Sequence, residues 1–222
     1  MDGIVTYTPQ NRCFPADFEI RSSHFCRTLN ADEQIRAEGD PDSKMILRCD
    51  FAVFDGEYVL YEDKSYREYE TIDPHAFDDT LKEDIRAMIN HNTDLVLGRT
   101  TANTLTLGVD KRRLYGEIVI NRNDQDAVNL WHRVKRRDVT GNSFGFIPID
   151  VATECYTDAD GREIWHRTLR KVRLIEVSPC TFPAYRDTVA DAEERKKARE
   201  ESNREWGLMF ISRLQKKEES KC

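Results

Sequence analysis

The sharpest chemical feature of the chain is the segment Gly141-Asn142-Ser143-Phe144-Gly145-Phe146. A serine between two glycines sits where the backbone is free to turn and a substrate can approach closely. Its hydroxyl is a poor nucleophile near neutral pH and needs a base to take its proton. Histidine suits that task best, because its ordinary pKa lies near neutrality. The chain offers His24, His75, His91, His132 and His166. His24 lies in a polar N-terminal stretch, His75 beside Pro74, and His132 among basic residues. His91 stands between two asparagines at an expected helix-to-strand junction, a place where reactive groups are often held. His166 falls on an expected strand and stays in contention.

A third group is needed to orient the imidazole and stabilise its cation. Glu176 interrupts the apolar run Leu174-Ile175-Glu176-Val177. It is either on the solvent side of an alternating strand or buried with a partner. Asp94 and Asp138 compete for the role. A cysteine nucleophile is the other chemistry open to the chain, with Cys180 foremost among Cys13, Cys26, Cys49, Cys155, Cys180 and Cys222. These six cysteines form no C-x-x-C pair and no Cys/His cluster of zinc spacing, so they read as reduced thiols. By its letters the serine segment also fits the G-x-S-x-G elbow of α/β hydrolases. That elbow requires a strand before the serine and a helix after it. Here a helical pattern precedes and β-patterned Phe144, Phe146, Ile147 and Ile149 follow, so the reading fails.

Residues 1–44 are polar and irregular, with a short helix expected near Glu33 to Arg36. Met45 to Phe54 is β-rich and opens the core, and Tyr58 to Tyr61 continues it. Asp73-Pro74 has the form of a helix start. Phe77, Leu81, Ile85 and Met88/Ile89 recur at helical spacing, which predicts a helix ending near Asn90. Short strands are expected at Leu95–Gly98, Thr104–Val109 and Leu114–Ile120. Asp124 caps a second helix carrying Val128, Trp131 and Val134. Strands then run over 143–151, 164–172 and 174–181, with a turn at Asp158-Ala159-Asp160-Gly161. Beyond Asp187 the chain is charged and helix-prone, and Trp206, Phe210 and Leu214 form an apolar stripe. The expected class is α+β, a small barrel or curved, mostly antiparallel sheet flanked by helices. The expected domains are a 1–44 extension, a 45–190 core and a 191–222 helical tail.

The 222 residues are enough for one domain with tails. Lys+Arg 34 against Asp+Glu 41 gives a net charge of −7. That balance argues against nucleic acid as the main ligand, because phosphate neutralisation needs a clustered basic surface. The basic runs Lys111-Arg112-Arg113 and Arg133 to Arg137 read as solvated faces. No segment approaches the roughly 20 apolar residues that span a bilayer. The N-terminus carries no basic-then-apolar leader, so the expected location is the cytoplasm where the chain is made.

Four blocks, in order, resemble the phage prohead protease family. They are Glu70-Thr71-Ile72-Asp73-Pro74-His75-Ala76-Phe77; Ile89-Asn90-His91-Asn92 with Leu97-Gly98-Arg99; Asn142-Ser143-Phe144-Gly145-Phe146; and Leu174-Ile175-Glu176-Val177-Ser178-Pro179 with Thr181-Phe182-Pro183-Ala184-Tyr185. The resemblance covers about residues 45–190. Cys180 departs from it, standing where the family usually has an aliphatic residue.

The resemblance implies Ser143 as nucleophile, His91 as base and Glu176 as its orienting acid, with no metal or cofactor. It implies a fold related to the herpesvirus assemblin barrel. It further implies a serine endopeptidase inside the phage procapsid, in the host cytoplasm. Its implied partners are the major capsid protein, whose scaffolding portion it removes, and itself by autocleavage. No nucleic acid or membrane partner is expected, and an oligomer is compatible with the sequence. The rival reading is a non-enzymatic assembly scaffold or chaperone on a protease-like fold.

Overall fold

The computed structural model describes residues 18–22, 35–40, 44–54 and 56–181. The described residues form eleven strands, one α-helix and a short 3-10 turn at Thr100–Ala102, joined by turns and loops. In chain order they are β1 (Glu19–Ser22), β2 (Ile35–Gly39), β3 (Met45–Val53), β4 (Tyr58–Glu62), β5 (Tyr66–Ile72), β6 (Arg86–Ile89), β7 (Asn92–Arg99), β8 (Leu105–Val109), β9 (Arg113–Val119), α1 (Gln125–Lys135), β10 (Gly141–Thr157) and β11 (Glu163–Cys180).

They form two sheets. The larger runs β1-β10-β11-β5-β4, with β6 pairing β11 and β7 pairing β6. The smaller runs β2-β3-β9-β8. Neither closes on itself. This corrects the expected α+β barrel with flanking helices: the fold is mostly β, built of two open sheets, with one helix among the described residues.

The expected helix from Asp73 to Asn90 is the main local error. Its first half is a chain of tight turns. Ala76 N–H bonds Asp73 O, Asp78 bonds His75, Thr80 bonds Phe77 and Glu83 bonds Thr80, each three residues back. Its second half is β6. The apolar positions that suggested a helical face are buried all the same, Phe77, Ile85 and Ile89 among them. Turns followed by a strand happen to bury the same residues as one helical stripe, so periodicity alone does not separate the two. The helix expected near Glu33–Arg36 is likewise a strand from Ile35 on, paired in register with β3. The C-terminal stripe at Trp206, Phe210 and Leu214 lies outside the described residues, as does His24.

The second helix forms as its signals predict. Asp124 Oδ1 accepts from the N–H groups of Asp126 and Ala127, at 3.0 and 3.2 Å. Trp131 is fully buried, and its indole Nε1 donates to Glu38 O and Ile46 O. That ties α1 onto the smaller sheet.

The hairpin β10–β11 dominates the larger sheet. Its turn is the one the sequence predicts: Asp158 Oδ1 accepts from Asp160 N and Arg162 N, and Gly161 takes φ 80°. Both strands are longer than the sequence pattern predicts. The two strands expected over 164–172 and 174–181 are one, β11. β11 pairs antiparallel to β10 along its length. Its other edge is parallel to β5 over Glu163–Leu169 and then to β6 at Glu176–Val177. Glu176 is therefore on a central strand, covered on both edges. Phe51, Phe77, Phe144, Phe146 and Trp131 are among the largest side chains in the core. Phe77 meets Phe144 edge-on at 5.7 Å, which ties the turn segment to β10.

Candidate active site

His91 enters the site from a two-residue turn. Ile89 pairs with Asn92, so Asn90 and His91 are the whole connection between β6 and β7. Both have positive φ, 50° and 58°. A two-residue hairpin turn of this hand requires that conformation twice. Asparagine tolerates it well, whereas histidine pays about 1 kcal/mol or more. The turn is pinned to the end of β11 by three bonds. Asn90 N donates to Pro179 O at 3.1 Å, Thr181 N donates to Asn90 Oδ1 at 2.8 Å, and His91 N donates to Ser178 Oγ at 3.2 Å.

The His91 ring then meets Glu176. Nδ1 lies 2.7 Å from Oε1. A carboxylate only accepts, so Nδ1 is the donor in this pair and Nε2 is the ring nitrogen directed away from the acid. The other oxygen, Oε2, accepts from Ser178 Oγ at 2.6 Å. Glu176 is fully buried and His91 nearly so. An unpaired buried carboxylate is costly, and here both oxygens are bonded. The alternative left open by the sequence, a solvent-facing Glu176, is excluded by its complete burial.

β10 and β11 bring the remaining groups to the same face. Glu176, Ser178 and Cys180 are two residues apart on one strand, so they share a side. Ser143 stands directly opposite Ser178 in the ladder, Gly145 opposite Glu176, and Gly141 opposite Cys180. Gly145 serves as space and not as a turn. A Cβ there would run into Oε1 of Glu176 and the ring of Phe18. The segment around Ser143 is continuous strand, so the sequence-based view of the glycines as turn formers is replaced by one of room for the acid.

Two contacts depart from a finished triad. The Ser143 hydroxyl donates to the carbonyl oxygen of Arg21, on β1, at 2.8 Å. Nε2 of His91 faces Cys180 Sγ at 3.6 Å. Ser143 on β10 and the His91 turn after β6 thus flank β11 from its two edges, without a direct hydrogen bond between them.

The competing residues lie elsewhere. His75 is exposed and paired with Asp78 at 2.9 Å, a bond that raises its pKa. His132 is exposed on α1. His166 stacks on Tyr69 and bonds Thr71 Oγ1 at 2.8 Å. Asp94 and Asp138 are exposed. Ser178 and Asn90 belong to the site and were not singled out by sequence. The signal for Ser178 was its offset of two from Glu176 on a strand, and for Asn90 its place before His91 in a tight turn.

No curated protein and no solved structure gives a significant match, so the expected kinship to the assemblin fold gains no support. The profile of the caudovirus prohead serine proteases matches residues 33–202, which takes in all four blocks and Ser143, His91 and Glu176; the chain belongs to that family.

Proposed function

We propose that the chain is the capsid-maturation endopeptidase of its phage, with Ser143 as nucleophile, His91 as general base and Glu176 as the acid that holds His91. Membership of a prohead serine protease family supports the activity class. The observation that carries the residue roles is the buried His91–Glu176 pair, with Ser143 facing it from the next strand. In the reaction, Ser143 turns from the Arg21 carbonyl toward Nε2. Oγ attacks the substrate carbonyl carbon while Nε2 takes its proton. His91 returns that proton to the leaving amine, and water opens the acyl-enzyme by the same route. Glu176 keeps Nδ1 protonated and stabilises the imidazolium. Ser178 fixes the carboxylate and the backbone of His91 together. The substrate in this reading is the scaffolding portion of the major capsid protein inside the procapsid, and the enzyme also cuts itself. The core at 45–190 carries the chemistry, with the C-terminal tail as a packaging or removable segment.

A second reading rests on one distance. Cys180 Sγ lies 3.6 Å from Nε2, so a thiol nucleophile is geometrically available. Co-expression with the phage capsid protein, read by intact mass, separates the cases. The expected result is shortening by the wild type and by Cys180→Ala, and none by Ser143→Ala. Cutting lost only in Cys180→Ala would install the thiol. Full-length capsid protein in assembled shells with every variant would favour a non-enzymatic scaffold.

A further inference from the structure

Strand β1 is four residues long and lies antiparallel on the edge of β10 that β11 does not cover. Its register places Ser22 opposite Ser143 and Arg21 opposite Phe144. An extended peptide that adds to a sheet edge makes this same kind of pairing. The carbonyl offered to the Ser143 hydroxyl is that of Arg21, at 2.8 Å. In a substrate lying this way, the residue equivalent to Arg21 supplies the acyl group, and the bond to the next residue is the one cut.

The Arg21 side chain fills a built acidic recess. Its Nε donates to Glu70 Oε1 at 2.7 Å and its Nη2 to Glu70 Oε2 at 3.1 Å, a two-pronged pairing. Nη2 also bonds Glu19 Oε2, and Nη1 donates to Ile20 O at 2.9 Å. The guanidinium stands 5.4 Å from the centre of the Phe146 ring. Glu70 comes from β5, a different part of the sheet, and its side chain is 0% exposed against 12% for Arg21. The two-pronged partner of this fully buried acid thus arrives on a short edge strand. Arg167 Nη1, 3.7 Å from Glu70 Oε2, keeps that carboxylate from being orphaned when Arg21 leaves.

We infer that β1 occupies the strand position of the substrate, and that Glu70 selects substrates with Arg or Lys on the acyl side of the cut bond. This rests on the assignment of Ser143 as nucleophile. Glu70 touches only the side chain and is a specificity residue. In the step itself, Oγ of Ser143 bonds to the carbonyl carbon of the basic residue and its proton passes to His91. The C–N bond then breaks and the amine of the next residue leaves with that proton. Water releases the basic residue as a free carboxylate and restores the hydroxyl. β1 competes with external substrate for the same edge, so the resting chain holds its own nucleophile covered.

The test uses the full chain and peptides copying residues 17–24, with Arg, Lys, Gln or Leu at the position of Arg21. Wild type should cut after Arg and Lys with kcat/KM about tenfold or more above Gln and Leu. Glu70→Gln should collapse that ratio toward one, which loss of a merely structural ion pair would not do. Arg21→Ala in the enzyme should lower KM for the Arg peptide about tenfold, because the tethered competitor is weakened. The KM readout decides the matter even if Glu70→Gln fails to fold. Equal rates for Arg and Gln peptides, a folded Glu70→Gln that keeps the preference, or an unchanged KM in Arg21→Ala would each overturn the inference. Cleavage that depends on Ser143 but falls away from basic residues would sink the subsite alone. Absence of any Ser143-dependent cleavage would sink the protease reading with it.

Discussion

At the scale of single residues, the site is a set of offsets of two on paired strands. Glu176, Ser178 and Cys180 alternate inward on β11, and Ser143 answers Ser178 across the ladder. Ser143, His91 and Glu176 stand out in the sequence as candidates because each is an unusual residue in its context: a serine among glycines, a histidine between asparagines, an acid in an apolar run. Ser178 does not, since a serine at a strand end has no outward mark until its hydroxyl is seen bridging Glu176 and the His91 amide. The importance of Gly145 was legible, but its reason was not. It leaves space for the Glu176 carboxylate across the ladder, a long-range contact invisible to local reading. Gly145→Ala should therefore push the acid off its position under His91. A displacement of about an ångström at such a site costs roughly a hundredfold in rate. Peptide turnover by Gly145→Ala, with circular dichroism to confirm the fold, checks this; near-normal turnover would remove the space argument.

At the scale of elements, the sequence served best where punctuation was strong. Asp124 capped α1 as expected, and Asp158 to Gly161 turned the long hairpin. It failed where apolar spacing was ambiguous, as over Phe77 to Ile89, and where a polar segment is ordered by pairing. β1 and β2 carry few apolar residues, and their strand state comes from the edges they meet on β10 and β3. Beside its ladder to β10, β1 is held by ion pairs through Glu19 and Arg21. Burial pushes the Glu19 carboxyl up, but Arg21 and Arg167 outweigh it and hold it below its usual range. A carboxyl lowered on docking favours the docked strand above its free pKa, and that contribution is lost as pH falls through the lowered value. Hydrogen exchange should thus show β1 amides well protected near neutral pH and released as pH drops below about 4, ahead of the β10–β11 ladder. Simultaneous release of both would mean that β1 is held by something other than its charges.

At the scale of the whole molecule, two open sheets share one apolar core, and α1 ties down the smaller of them. The overall class was misread because the expected Asp73–Asn90 helix was counted as a flank, and because β10 and β11 were each expected shorter than they are. Trp131 is the clearest anchor: fully buried, bonded through Nε1 to two strands' carbonyls, with Lys135 Nζ 4.6 Å over its ring. Trp131→Ala should cost about 3–5 kcal/mol of unfolding free energy, measured by urea denaturation. A loss below about 1 kcal/mol would show that α1 is not integral to the core.

The most direct test of the central claim is covalent. Because β1 covers Ser143 in the resting chain, a preparation that is cutting its substrate is treated with a fluorophosphonate, which reacts with an activated serine, and the adduct is located by peptide mass mapping. A single adduct on Ser143, abolished in His91→Ala, is the result expected if His91 activates that hydroxyl. An adduct on another serine, or an unmodified Ser143 in a preparation that is cutting its substrate, would contradict the assignment of Ser143 as the nucleophile.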